Sequence, residues 1–325
     1  MTAGTTEAPA ARREALRGHL AMLLFSALVA GSFSLGVRVA NLIAPEAITA
    51  ARFVIAAGVI GGLVAVGGAG LNRQAFRAPW RYLLLGGLFA AYFVLMFEGL
   101  KTAPAVSASA VFTLTPLMSA LFGWMLLRQR VTWRIAVALF LGGLGALWVI
   151  FDGDLAAMSR LQLGRGEAIY LLGCVAHALY TPMVRRVNRG ETALVLSFGT
   201  MLAGSLVMLV WSWPQLTATD WLHLPAIVWI AMLYLAVFAS AATAVLVQYA
   251  VLRLPASKVM AYTYLTPAWV IALEAFLGQG MPGLILLPGV IATLVALSLL
   301  LQGDERGAPP RDGGDAGKGF SWGGR

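Results

Sequence analysis

Thr102–Met118 reads TAPAVSASAVFTLTPLM, and Arg253–Trp269 reads RLPASKVMAYTYLTPAW. In both stretches a proline opens an apolar run and a Thr-Pro pair interrupts it. Pro104 and Pro255 lie 151 residues apart, and so do Thr115-Pro116 and Thr266-Pro267. Ala105/Ala256, Ala110/Ala261 and Leu114/Leu265 agree at the same spacing. A weaker match joins Arg38-Val39 to Arg186-Val187 at a spacing of 148. The chain therefore reads as two copies of one unit.

Composition says where such a unit resides. Of 325 residues, 60% are hydrophobic and 11% charged, against about a quarter charged in soluble domains. Ten apolar runs are long enough to cross a bilayer core, which takes about 20 helical residues. They fall at 20–39, 47–66, 82–98, 105–127, 135–151, 167–184, 192–211, 224–250, 257–277 and 283–301. Backbone groups must be paired in lipid, so each run predicts a helix. The first run reads as a membrane span rather than a cleaved signal, since many others follow. The fold class is thus an all-α membrane protein of ten transmembrane helices.

Residues 1–18 form an N-terminal segment, 19–151 the first five-helix repeat, 166–302 the second, and 303–325 a Gly- and charge-rich tail expected to be disordered. Arg12, Arg13, Arg17, Arg73, Arg77, Arg81, Arg128, Arg130, Arg134, Arg185, Arg186, Arg189 and Arg253 fall on one side of the predicted membrane. Arg38, Lys101, Arg160 and Arg165 fall on the other. The positive-inside rule then predicts both termini in the cytoplasm. The net charge of +9 is thereby read as orientation chemistry, with no nucleic-acid partner. Five spans per unit is an odd number, so the second unit enters the membrane from the opposite side. Inverted repeats are a recurring architecture of secondary transporters.

Pro116 and Pro267 lie inside spans four and nine. Each removes a backbone bond and predicts a bend or hinge, tolerated where it faces a wet cavity. Ionisable and polar groups inside spans mark candidate sites. His177 sits near the middle of span six. Lys258 either attracts a carboxylate or snorkels to water, and it shares a helical face with Tyr262 and Trp269. Phe89, Tyr92, Phe93 and Met96 form an aromatic face on span three; Tyr234, Phe238 and Gln248 form a stripe on span eight. The predicted substrate site is His177, Tyr92, Phe93, Tyr234, Gln248, Lys258, Tyr262 and Trp269, with spans one, three, four, six, eight and nine lining it. Glu98 and Glu274 are candidates for proton or ion coupling, although Glu98 also suits a surface pair with Lys101. Arg52 is read as a structural pair with Glu46. Gly58, Gly61, Gly62, Gly142, Gly143 and Gly145 are read as points of close helix approach.

Other functions lack their residues. There is no phosphate-binding Gly-Lys loop, no metal-ligand cluster and no nucleophile with a triad. One cysteine, Cys174, forms no intrachain disulfide. Neither a cofactor nor a metal is expected. The partners expected are a small-molecule substrate and the bilayer, for a chain that works as a monomer.

At Ala103–Thr132 (APAVSASAVFTLTPLMSALFGWMLLRQRVT), Leu254–Met281 (LPASKVMAYTYLTPAWVIALEAFLGQGM) and Ile48–Ala57 (ITAARFVIAA) the chain resembles the drug/metabolite transporter superfamily, EamA type. The resemblance spans about residues 19–302, and within it the chain looks most like the bacterial YddG-type exporters of aromatic and neutral amino acids. It implies an inner-membrane exporter of amino acids or related metabolites. Efflux of drugs or cationic dyes is the alternative within the superfamily, and a membrane-embedded lipid-modifying enzyme or a scaffold the alternative outside it. The charged residues of sugar-phosphate members are mostly missing here, with Lys258 alone in a comparable place, which argues against an anionic substrate.

Overall fold

The computed structural model describes residues 7–67, 77–129, 131–160, 162–254, 256–280 and 283–302. The tail at 303–325, Pro255, Arg73 and Arg130 lie outside them. The described residues are helical throughout their ordered elements, and ten helices are long and apolar enough to cross a membrane: Arg13–Val39, Pro45–Val66, Trp80–Leu100, Ala105–Leu127, Trp133–Ile150, Arg165–Val187, Ala193–Trp211, Ala226–Val251, Lys258–Phe276 and Leu284–Leu301, here spans one to ten. Their starts carry recognisable signals. Thr132 and Thr192 accept the backbone N–H of Ile135 and Val195, respectively, and cap spans five and seven. Pro45 opens span two, where its missing N–H is no loss.

The packing follows the repeat. Span three packs along span six, and span eight along span one; span three meets seven, and span eight meets two; span four meets six, and span nine meets one. Each of these pairs becomes its partner when the halves are exchanged. Spans two and seven, four and nine, and five and ten pair with their own equivalents. The first segment of span four touches the second of span nine, and the reverse also holds, so the two cross antiparallel. Two five-helix units inverted with respect to each other account for all these contacts.

Glycine permits the closest of them. A Cβ on Gly145 would lie 2.6 Å from the carbonyl oxygen of Gly289, and one on Gly289 would lie 2.7 Å from that of Gly145. Spans five and ten therefore touch backbone to backbone. Gly99 and Gly166 do the same for spans three and six. The sequence reading of glycine is corrected in part. Gly61 meets the Phe198 ring and Gly142 the Tyr264 ring, but a Cβ added at Gly58, Gly62 or Gly143 would meet nothing within 4 Å.

The prolines act differently from a simple interior kink. Span four stops at Phe112, turns through Thr113 and Leu114, and restarts at Thr115, with Pro116 in the first turn of the new helix. Span nine breaks through a 3₁₀ turn at Tyr262–Leu265 and restarts at Thr266, with Pro267 in the first turn. The acceptors that each proline abandons are not orphaned. The Thr115 hydroxyl donates to the Phe112 carbonyl at 2.7 Å, and the Thr266 N–H donates to the Thr263 carbonyl. The two breaks meet at a hydroxyl contact of 3.3 Å between Thr115 and Thr263.

We call the membrane face bearing the start of span one and the end of span ten the terminal face. There Arg81, 1% exposed, donates to the Val187 carbonyl and to Glu191, each at 2.7 Å. Burial pushes the Glu191 carboxyl up, but the hydrogen bond from Arg81 and the N–H of Arg189 outweigh it and hold the carboxyl below the usual glutamate value. A depressed value in the folded state stabilises the protein at pH above the usual glutamate range, and this is lost as pH falls through the depressed value. Glu191→Gln should therefore destabilise the protein by about 3 kcal/mol at neutral pH, because it removes a carboxylate that pairs with the buried Arg81. The gap from the native protein should close as the medium is acidified. Melting curves across pH measure both, and a gap that is constant with pH would refute the assignment.

Candidate functional site

At mid-depth a small chamber opens between Phe25, Val29 and Ser32 of span one, Phe89, Tyr92 and Phe93 of span three, Phe112 of span four, His177 of span six, and Ala239 and Thr243 of span eight. Its volume is about 10 Å³, room for about one water. A much larger groove, about 710 Å³, lies between spans four and five along Leu117, Leu121, Phe140 and Leu144. It is open and almost wholly apolar, and it lacks the few convergent polar groups that orient a ligand. The central chamber is the better candidate despite its size.

His177 dominates the chamber. It is 2% exposed, and neither ring nitrogen reaches a hydrogen-bond partner among the described residues. Its ring lies 4.5 Å from Tyr92, 5.3 Å from Phe112, 6.1 Å from Phe89 and 6.2 Å from Tyr180, centroid to centroid. Tyr92 shares its hydroxyl with Tyr170 at 3.1 Å. Behind Tyr180, Gln248 donates to the Tyr180 hydroxyl at 2.8 Å and to Thr200 at 3.5 Å, and its Oε1 has no partner among the described residues. At the repeat spacing of 148, His177 corresponds to Val29. Both line the chamber, so the scaffold is symmetric and the imidazole is not.

The structure brings His177, Tyr92 and Phe93 together, with Gln248 one layer behind. It does not bring Lys258, Tyr262, Trp269 or Tyr234 to the chamber. Lys258, 3% exposed, donates to the Leu301 carbonyl at 3.4 Å. The Tyr262 hydroxyl meets His19 Nδ1 at 3.0 Å near the terminal face. Trp269 is 40% exposed and donates to Ser26 at 3.2 Å. The 3₁₀ turn in span nine breaks the helical face on which these residues share a stripe. No described residue of span nine lines the chamber, which corrects the expected set of lining spans. Tyr234 donates to the Leu28 carbonyl at 2.9 Å and lies against Gly31, a packing role.

Span eight explains its own broken stripe. Residues Val237–Ala242 form a π-turn, which carries about one residue more than an α-turn. Everything beyond it is rotated by roughly 100° relative to a continuous α-helix. Tyr234 and Phe238 stay together, 5.5 Å apart, while Gln248 turns into the core.

The π-turn also has a partner that the sequence reading misassigned. Arg52 does not pair with Glu46. It is fully buried, and its Nε donates to Ser240 at 2.9 Å while Nη2 donates to the carbonyls of Leu235 and Ala239 at 3.3 Å. Its guanidinium lies 3.7 Å over the Phe93 ring, and Nη1 has no hydrogen-bond partner among the described residues. A charge this deep costs about 2.5–3.5 kcal/mol on insertion scales. The signal in the sequence was a lone arginine within an apolar span.

Glu98 and Glu274 sit in ion pairs. Glu98 meets Lys101 at 2.5 Å, partly exposed. Glu274 accepts from Arg38 at 3.1 and 3.5 Å, and Arg38 also donates to the Ser34 carbonyl. At the spacing of 148, Arg38 corresponds to Arg186, and at the spacing of 151 that relates spans four and nine Glu274 corresponds to Gly123, about one turn from Leu126. Arg186 donates to the Leu126 carbonyl at 2.8 Å. The weak sequence match thus marks twin ties, one at each face. Each joins the end of the first helix of one unit to the end of the fourth helix of the other.

Ten spans in two inverted units around a polar-aromatic chamber define a multi-pass membrane protein. Residues 16–151 and 164–302 each match the EamA-like transporter family, and the chain belongs to that family. The chain is 27% identical over 225 residues to the uncharacterized transporter YyaM of Bacillus subtilis strain 168, covering 68% of this chain and 73% of that protein. A crystal structure of 20% sequence identity superposes with a TM-score of 0.68 over 91% of this chain and 99% of the other, a likeness of fold.

Proposed function

We propose that this transporter is a secondary carrier of the bacterial inner membrane, with both termini in the cytoplasm, that exports neutral amino acids, aromatic ones foremost, or related small metabolites. One observation carries the reading. His177 places two unpartnered ring nitrogens in a mid-membrane chamber of aromatic rings. Such a chamber offers hydrogen bonds to a polar group, flat apolar surface to a side chain, and ring faces to an ammonium.

Transport proceeds by alternating access. The chamber holds about one water in this closed form, so cargo enters only when one face opens. The twin ties are the natural gates. Arg38–Glu274 closes the face opposite the termini with an ion pair. Arg186 closes the terminal face by bonding a carbonyl. Counterflow of labelled L-phenylalanine in proteoliposomes tests the substrate class. Exchange of a permanently cationic dye in its place would move the reading to drug efflux.

The gates make a separate prediction. Glu274→Gln weakens the tie at the far face only. With Ser32→Cys as a reporter in a Cys174→Ser background, an impermeant thiol reagent applied from that face should react several-fold faster in Glu274→Gln. Applied from the terminal face it should react no faster. Equal rates with and without the substitution would remove Arg38–Glu274 as a gate.

A further inference from the structure

Arg52 carries a full charge in the bundle core without a carboxylate among the described residues to balance it. Three neutral acceptors hold Nε and Nη2, which orients the guanidinium but leaves its charge uncompensated. Buried charges are ordinarily paired. Two chamber residues also touch this group. Phe93 lines the chamber and lies under the guanidinium, and Ala239 lines the chamber while its carbonyl accepts from Nη2. The charge is one side chain away from the central space, and its Nη1 has no hydrogen-bond partner among the described residues.

We infer that Arg52 is the anion subsite of the chamber, which receives the carboxylate of the transported molecule when Phe93 turns aside. The cargo supplies the counter-charge that the protein omits. This inference rests on the carrier reading above and deepens it. It assigns the carboxylate to Arg52 rather than to Lys258, whose ammonium bonds the Leu301 carbonyl away from the chamber. It also divides the cargo: carboxylate on the side of spans two and eight, with the rest against His177 and the rings. A planar guanidinium suits a carboxylate in a way a lysine does not, because its parallel N–H groups match the two oxygens. A purely structural Arg52, stapling the π-turn, would show no preference among ligands.

The test is binding of a matched series to the purified full chain in lipid nanodiscs, measured by calorimetry. The probes are L-phenylalanine, 3-phenylpropanoate, L-phenylalaninamide and 2-phenylethylamine. The two carboxylates should bind about 30-fold more tightly than the amide and the amine, the scale of losing one charged hydrogen-bond pair. In Arg52→Lys, which keeps the charge and loses the planar fork, that gap should shrink to less than about tenfold. The wild-type series decides alone if the variant does not fold. Amide binding as tight as acid binding, an unchanged gap in Arg52→Lys, or no binding of either carboxylate would overturn the assignment. The two readings separate cleanly. Binding of the amine alone, lost in His177→Phe, would leave the chamber reading standing and remove Arg52. Binding of 3-phenylpropanoate that needs Arg52 and ignores His177→Phe would do the reverse.

Discussion

His177→Phe is expected to abolish transport and, at the same time, to raise the melting temperature of the protein. The two effects have one cause. Each buried polar atom left without a partner costs about 1–3 kcal/mol, and His177 has two. Its surroundings are Phe89, Tyr92, Phe112 and Tyr180, which accept a benzyl ring without loss of contact. The chamber has room for about one water to satisfy one of them, so the substitution should stabilise the protein by about 1–3 kcal/mol. A cargo that bonds both ring nitrogens loses about tenfold per bond, so counterflow should fall by about 100-fold. Thermal unfolding in detergent and counterflow on the same preparation read out both. A lower melting temperature with transport intact would make His177 a packing residue.

A second large effect falls far from the chamber. Gly145→Val should yield no folded carrier, whereas Gly143→Ala, two residues away, should be tolerated or slightly stabilising. A side-chain carbon at Gly145 meets the carbonyl of Gly289 at 2.6 Å and the Ala292 and Thr293 side chains just beyond. Backbone cannot yield as a flexible side chain does, and overpacking already costs about 1–3 kcal/mol where the neighbours can move. At Gly143 nothing lies within 4 Å, so alanine contributes its helical preference of up to about 1 kcal/mol. Monodispersity on size-exclusion chromatography discriminates the two, and a folded, active Gly145→Val protein would refute the backbone contact.

The spans and the inverted duplication were legible because lipid imposes a strong and simple rule on composition, and because Thr-Pro pairs punctuate both copies at a constant spacing. The burial of His177 was legible from its depth in span six. The surroundings of the other candidates were not, for local reasons. The π-turn is built from VFASAA, which contains neither proline nor glycine to announce it, yet it rotates Gln248 away from Tyr234. The 3₁₀ turn at Tyr262–Leu265 did the same to the face of Lys258, Tyr262 and Trp269. Arg52 was visible as a charge in a span, but its partners lie more than 180 residues away in sequence. Reading it against the nearest acid, Glu46, selected a neighbour along the helix rather than one across it.

Val29 and His177 occupy matching positions on the two halves of one chamber, and only one of them can hold a proton. Exchanging them, Val29→His with His177→Val, would rebuild the same constellation as its image through the membrane plane. Cargo would then lie end for end with respect to inside and outside. Under the proposed function, the way cargo lies across the membrane would then follow from which half carries the imidazole.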